Sequence, residues 1–346
     1  MIGADIASQS RRVRIIVCAM VVPVLLAMLT LFATSPRTVS AQTPAATPAT
    51  CSVGVDILSI HGINLDENTF DVEFWIWSVC KDDQIKPLQT MEFVNANDVT
   101  VSLQGETMVD GVYWNYAKVE GTFRYYWDLT DFPFDHHDLQ IHIENADWDM
   151  SSFVFVADTA GSAYESDLPL EGWSVDRFGV SSAPYTYKTT YGDPQNPVGT
   201  SDYSRFTAHI ELERADYNSF FKLTFVVYIA FLISLVSYFV NLKNPAMLAA
   251  RLGVISGALF TVAVSLRTAT DALSSQEGFT LVGKIHLVAM AAILVDAVAA
   301  LATQLLTERG RSEVELKRFD RNVMILVVIG FVAANIWLIT SAAHHG

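Results

Sequence analysis

The sequence predicts an N-terminal all-β, immunoglobulin-like sandwich followed by a four-helix transmembrane domain. Three observations lead there. Between residues 51 and 218, apolar and polar residues alternate in short runs divided by Asn, Asp, Gly and Pro clusters, the pattern of paired strands. Beyond residue 218 the pattern changes to four long apolar runs, each long enough or nearly so to cross a hydrocarbon core of about 30 Å. Charge divides at the same place: residues 42–218 hold 29 Asp/Glu against 8 Lys/Arg, while the 346-residue chain as a whole stands at −15. The acidity therefore belongs to the β region, and the rest of the chain is net basic.

Taken in order, residues 1–41 read as a secretory signal. Arg11, Arg12 and Arg14 precede the apolar run from Ile15 to Ala33, and Val39-Ser40-Ala41 places small residues at a cleavage position. The apolar run is long for a signal core, so an uncleaved anchor is the alternative. Residues 42–50, rich in Pro, Thr and Ala, read as a flexible leader. The β domain follows over 51–218. Phe70-Asp71-Val72-Glu73-Phe74-Trp75-Ile76-Trp77 has a near two-residue period, and shorter strands are expected at Val99–Leu103, Val112–Trp114, Thr122–Tyr126, Leu139–Ile143 and Phe206–Leu212. If 51–63 pairs antiparallel with 69–80 around the Asn64–Asn68 turn, Cys51 and Cys80 fall nearly opposite each other. Export supplies an oxidising compartment, so a disulfide is expected, with free thiols as the alternative.

The membrane domain occupies 219–341, with spans near Phe220–Val240, Leu248–Leu266, Phe279–Leu306 and Val323–Ile339. Lys243 and Arg251 are assigned to the first link. Arg309, Arg311, Lys317, Arg318 and Arg321 lie in the third, a short cytoplasmic link over 307–321. The second link, 270–278, holds Asp271 and Glu277 and no base. Positive residues stay inside, so links one and three are placed in the cytoplasm and both the β domain and the C-terminus outside. The export signal agrees with this orientation.

Three stretches carry a resemblance. Trp127-Asp128-Leu129-Thr130-Asp131-Phe132-Pro133-Phe134-Asp135, then Asp138-Leu139-Gln140-Ile141, is the strongest; Glu92-Phe93-Val94-Asn95 is the second. Glu213-Arg214-Ala215-Asp216-Tyr217 leading into the first span, with Ile233-Ser234-Leu235-Val236-Ser237-Tyr238, is the third. In this order, and with this topology over about 290 residues, the chain resembles the pentameric ligand-gated ion channel family in its prokaryotic form. No cysteines flank the Phe-Pro-Phe-Asp loop, as is usual in bacterial relatives.

The resemblance implies a homopentamer around an axial pore in a bacterial inner (plasma) membrane, with its β domain in the periplasm, gated by a small ligand or by protons and passing inorganic ions. The second span would line the pore with Gly253, Gly257, Phe260, Val264 and Arg267 (or Thr268), spaced in threes and fours along one helix face. A ring of Phe260 could close the path by dewetting. Gly253 and Gly257 also read as G-x-x-x-G, which lets ordinary membrane helices pack closely. Asp66, Glu67, Asp135 and Arg214 would couple the β domain to the membrane. Trp75, Trp148, Tyr185, Tyr187 and Tyr191 would line an inter-subunit ligand pocket suited to an ammonium group, although aromatics in β sandwiches are more often core. Departures are Tyr228 where the family carries a proline, Cys80 in place of a tryptophan, and a second-to-third link with two acids and no proline. Ala249-Ala250 stand where cation-selective relatives carry a glutamate, so ion selectivity is left unassigned. The alternative is a non-conducting membrane-anchored ligand sensor or binding protein on the same scaffold.

Other chemistry is not expected. The acidic balance disfavours nucleic acid, and three cysteines make no metal cluster. His136 and His142 share a strand face while His137 points away, a poor metal set. Asp296 in the third span suits an inter-helix hydrogen bond. No nucleotide loop, H-E-x-x-H or G-x-S-x-G motif points to an enzyme, and no cofactor or metal is called for.

Overall fold

The computed structural model describes residues 47–345 apart from 82, 169, 171, 195–198, 216, 241–244 and 274–278. The expected signal over 1–41 and the leader up to residue 46 lie outside the described residues, as do Lys243 and Glu277.

The first half folds as ten strands: β1 (Ala49–Asn64), β2 (Thr69–Cys80), β3 (Met91–Phe93), β4 (Ala96–Val109), β5 (Val112–Arg124), β6 (His136–Asn145), β7 (Phe153–Ala157), β8 (Ala163–Tyr164), β9 (Trp173–Tyr187) and β10 (Ser201–Arg214). They form two sheets. One runs β4-β5-β2-β1-β7, with β8 also beside β1; the other runs β3-β6-β10-β9. Alternation builds the core between them. Phe70, Val72, Phe74 and Ile76 of β2 are fully buried, as are Leu139, Ile141 and Ile143 of β6 and Phe206, Ala208 and Ile210 of β10. Each strand sends its other face outward, so the sandwich follows from the two-residue period.

Cys51 and Cys80 occupy opposed register positions at the ends of β1 and β2, and their sulfurs are bonded at 2.04 Å. Three details differ from expectation. Ala49 and Thr50 pair with β7 instead of belonging to a leader. The strands expected at 112–114 and 122–126 are one strand, β5, of 13 residues. β9 has no equivalent among the expected strands: Gly179 and Pro184 blur its pattern, and both are tolerated because it is a sheet edge.

Four helices follow: α1 (Asn218–Val236), which tightens into a 3₁₀ turn at Ser237–Phe239, α2 (Pro245–Ala272), α3 (Leu281–Glu308) and α4 (Glu313–His345). All four are long and apolar enough to cross a membrane. The chain is a multi-pass membrane protein with an N-terminal β domain. α1 and α4 meet through a stacked pair, Phe231 and Phe331, with ring centroids 3.9 Å apart. The Tyr228 hydroxyl donates to Asn335 Oδ1 at 3.3 Å. Ser234 and Tyr238 donate to Asp296 of α3 at 2.7 and 2.8 Å, the inter-helix bonding that makes a carboxyl tolerable at this depth.

Two corrections concern the links. The cytoplasmic stretch expected over 307–321 is nearly all helix, because α3 runs to Glu308 and α4 begins at Glu313. Ser312 starts α4 with a capping box: its N–H and hydroxyl both reach Glu315 Oε2 at 3.0 Å, and Glu315 N–H returns to the hydroxyl at 3.4 Å. Lys317, Arg318 and Arg321 therefore ride on the first turns of α4. Arg251, counted among the charges of the first link although it falls within the expected second span, lies inside α2 and is fully buried. It forms a two-point ion pair with Asp320 of α4 at 3.0 and 3.2 Å, and Thr303 of α3 donates to the same carboxylate at 2.7 Å.

Candidate functional site

Three arrangements stand out, one at the base of the β domain, one on its outer faces and one along α2. At the base, the loop over 127–135 delivers Asp135 just before β6, and β10 ends on Arg214. The Arg214 Nε–H spans both Asp135 oxygens at 2.7 and 3.0 Å, while His137 Nε2 lies 2.8 Å from Oδ2. The guanidinium lies over the rings of Trp173 and Phe132, 4.1 and 4.5 Å from their centroids. Asp135 and His137 side chains are 2% and 1% exposed. Burial opposes ionisation of Asp135, but hydrogen bonds from His137 and Arg214 and the Arg214 charge outweigh it and hold the carboxyl below its ordinary range. Tyr125 Oη lies 3.3 Å from His137 Nδ1, and burial with nearby carboxylates pushes its phenol up to about 12. The same loop touches the membrane domain: Leu281 N–H, at the start of α3, donates to the Thr130 carbonyl at 3.0 Å. Asp66 and Glu67 are exposed in the β1–β2 turn, with their backbone N–H groups on Asn64 Oδ1; neither pairs with Asp135 or Arg214.

The outer face of the first sheet carries an aromatic platform. Trp75 and Trp77 of β2 stand beside Trp114 and Tyr116 of β5, with Tyr116 6.0 Å from Trp75 and 4.9 Å from Trp114. Two glycines let the rings lie flat. A Cβ at Gly54 would come within 2.4 Å of the Trp77 ring, and one at Gly105 within 2.5 Å of Tyr116. Trp77 Nε1–H is fixed to Asp158 at 3.2 Å. The concavity over these rings, bordered by Asp56, has a volume of about 510 Å³.

The second sheet gathers tyrosines at its β9–β10 end. Tyr187 is 4.8 Å from Tyr185, 5.6 Å from Tyr191 and 5.8 Å from Tyr203. The cation position over Tyr185 is occupied from within: the Arg205 guanidinium sits 3.4 Å from its centroid, held by Glu144 at 2.6 Å and the Tyr187 hydroxyl at 3.1 Å. Burial and Glu144 push the Tyr187 phenol up to about 12. Trp148, 40% exposed, makes no ring contact with this cluster among the described residues. Of the five expected ligand residues, Trp75 lies in the first sheet, Tyr185 and Tyr187 lie in the second, and Trp148 and Tyr191 lie in loops; the face of Tyr185 is not vacant.

Along α2, Arg251, Ile255, Ala258, Val262 and Ala269 are buried against the other helices. Gly253, Gly257, Phe260, Val264 and Arg267 fall on the opposite, open side; Phe260 is 71% exposed and the Arg267 side chain 85%. A Cβ on Gly253 or Gly257 would meet nothing within 4 Å, so the close packing their spacing suggests is not used within the chain.

No model of a known protein family matches the chain, and no curated protein matches its sequence.

Sequence reasoning does not single out Trp77, Trp114, Tyr116, Tyr203 or Arg205. A local signal was present for Trp77, Trp114 and Tyr116, while Tyr203 needed the register of β9 against β10. Trp75/Trp77, Trp114/Tyr116 and Tyr185/Tyr187 are i, i+2 pairs, and Trp77 lies opposite Tyr116 and Tyr203 opposite Tyr185 across adjacent strands. Arg205 has no such local mark. On the outer face of the second sheet, Ser181 Oγ, His209 and Asp138 also align, at 3.1 and 3.0 Å. They form a partly exposed hydrogen-bond ladder across three strands.

Proposed function

We propose that this protein is the subunit of a homopentameric ligand- or proton-gated ion channel with α2 lining the pore. The observation that carries the reading is the open side of α2. Arg267, Ser256, Thr261 and Thr268 share it with Gly253, Gly257 and Phe260, and a stripe with an arginine and three hydroxyls is a poor surface for lipid but a good lining for water. A ring of copies would turn that stripe inward. It would also bring the platform of Trp75, Trp77, Trp114 and Tyr116 toward the tyrosine cluster of a neighbour, enclosing a pocket for a small ligand with a cationic or aromatic part.

Motion would pass from the pocket through β10 to Arg214 and Asp135, and from the 127–135 loop through Thr130 to the start of α3. Displacement of α2 would then carry Phe260 off the axis. The β domain and the C-terminus would lie in the periplasm of a bacterial inner membrane, with the basic α3–α4 turn inside.

The test begins with stoichiometry, by imaging single nanodisc-held particles without imposed symmetry; five copies are expected, and a monomer or dimer would overturn the reading. In a conducting ring, Phe260→Ser should raise resting current about tenfold or more, because the apolar closure becomes wettable. A five-fold ring that passes no current, with or without that change, would support a non-conducting sensor on the same scaffold.

A further inference from the structure

The outer face of the second sheet holds a serine, a histidine and an aspartate in line, one from each of three neighbouring strands: Ser181 of β9, His209 of β10 and Asp138 of β6. His209 Nδ1 lies 3.0 Å from Asp138 Oδ2, and His209 Nε2 lies 3.1 Å from Ser181 Oγ. A carboxylate only accepts, so it fixes the proton of the neutral ring on Nδ1 and leaves the Nε2 lone pair facing the serine hydroxyl. The carboxylate is itself steadied, because Gln140 Nε2–H donates to the same oxygen at 2.6 Å. Nucleophile, base and orienting acid stand in the order that acyl-transfer sites on unrelated folds share, an order recognised by geometry and role. Two further features make the serine usable. Gly179 lies directly opposite His209, and a Cβ there would meet nothing within 4 Å, so the sheet is open beside the imidazole. Gly179 and Ser181 share one face of β9, about 7 Å apart along the strand, and Ser181 is exposed, so that open ground adjoins the hydroxyl. β9 also ends the strand order of its sheet, so every second N–H along it points away from β10. Such a group falls either on Ser181 or on both of its neighbours, where it can donate to an oxygen that becomes negative beside the serine.

We propose that Ser181, His209 and Asp138 form an acyl-transfer site that cleaves small uncharged carboxylic esters. Ser181 Oγ attacks the ester carbonyl as its proton passes to His209 Nε2, and the carbonyl oxygen takes up the displaced electron pair. When the C=O bond re-forms, the C–O bond to the alcohol breaks and the alcohol leaves with the proton from Nε2. The acyl group stays on Ser181 until water, losing a proton to the same nitrogen, attacks the carbonyl and releases the carboxylic acid. One ester and one water give one acid and one alcohol, and the serine is restored. Ser181 and His209 are the catalytic residues; Asp138 acts through the ring and is a positioning residue. The surplus of 29 carboxylates over 8 bases between residues 42 and 218 disfavours a substrate that carries a negative charge of its own. The site is complete within one chain, so it depends neither on the number of subunits nor on conduction.

The test uses the full chain in dodecyl maltoside, with p-nitrophenyl acetate as the probe. Peptide mass spectrometry of the acetylated chain should place the acetyl group on Ser181. Ser181→Ala and His209→Gln should each lower kcat/KM about 100-fold or more, the lower end of what a positioned base contributes. Asp138→Asn should lower kcat about tenfold or more with KM unchanged, a split that lost packing alone would not give. Ser151→Ala, which removes an exposed hydroxyl bonded to Asp149 at 2.6 Å rather than to an imidazole, should leave the rate unchanged. Thermal unfolding of every variant is followed in parallel, and Ser181→Ala, a change at an exposed position, decides the matter if the other two fail to fold. Acetyl groups scattered over lysines and histidines, or a rate that survives Ser181→Ala, would overturn the proposal, as would equal losses in the Ser181 and Ser151 variants.

Discussion

Two buried arginine–aspartate pairs, one in each half of the molecule, use the same parts to different ends. Arg214 and Asp135 close the base of the β sandwich; Arg251 and Asp320 tie α2 to α4 in the membrane half. In both, a guanidinium lies against aromatic rings, Trp173 and Phe132 in one case and Tyr238 at 4.9 Å in the other. In both, the carboxylate has a third partner, His137 or Thr303. The difference is which partner is enclosed. The Asp135 side chain is 2% exposed beside an Arg214 side chain that is 12% exposed, whereas the Arg251 side chain is 0% exposed beside an Asp320 that is 13% exposed and forms part of a cavity wall. A buried pair is weak evidence of net stabilisation, but a carboxylate stranded out of reach of water costs more than one that water can reach.

The largest effect should come from stranding the enclosed carboxylate. Arg214→Gln leaves Asp135 buried with His137 alone and should cost about 4 kcal/mol, within the range for a stranded buried charge, read as a loss of thermal stability of the full chain in detergent. Arg251→Gln strands Asp320 where water can enter through the cavity, so about 3 kcal/mol is expected. If the membrane-half variant proves clearly the more damaging, enclosure is not what separates the two pairs.

A smaller effect concerns acid. Asp135 is held below its ordinary value of 3.8, so the unfolded chain takes up its proton first as pH falls. The stabilisation is complete above that value and is lost as pH drops through the depressed folded value. Arg214→Gln removes one of the groups holding it down, so the folded value moves up toward the unfolded one and the stability that Asp135 loses on acidification should be smaller than in the unaltered protein. Arg251→Gln should leave that acid-dependent loss unchanged. Acid titrations followed by intrinsic tryptophan fluorescence, which the Trp127 and Trp173 surroundings of the junction should report, would separate the two variants.

These pairs were unequally legible. Arg214 and Asp135 each lie inside a motif that carries the family resemblance, and it is that resemblance that sets them together at the junction. Arg251 reads as a link charge because nothing local distinguishes a helix-borne arginine near an apolar run from one in the connecting loop. Its partner, 69 positions away, reads as part of another loop. The Ser312–Glu315 capping box was visible and would have corrected the second of those boundaries. The aromatic platform was half visible: Trp75 stood out, while Trp77, Trp114 and Tyr116 needed the register of β2 against β5 to bring them to one face.

The β sandwich, the four spans and the opposed cysteines were legible in the sequence, while the face of α2 that carries Gly253, Gly257 and Phe260 was read as a pore face through the family resemblance. The first three depend on periodicity or on one short hairpin, and both are written locally. Packing between elements places Arg205 over Tyr185, sets Gly54 and Gly105 under aromatic rings, brings Thr130 to α3 and opens a basic and apolar cavity beside Asp320. These depend on which strands and helices become neighbours. That choice rests on the summed packing of the two cores, and no single stretch of sequence records it.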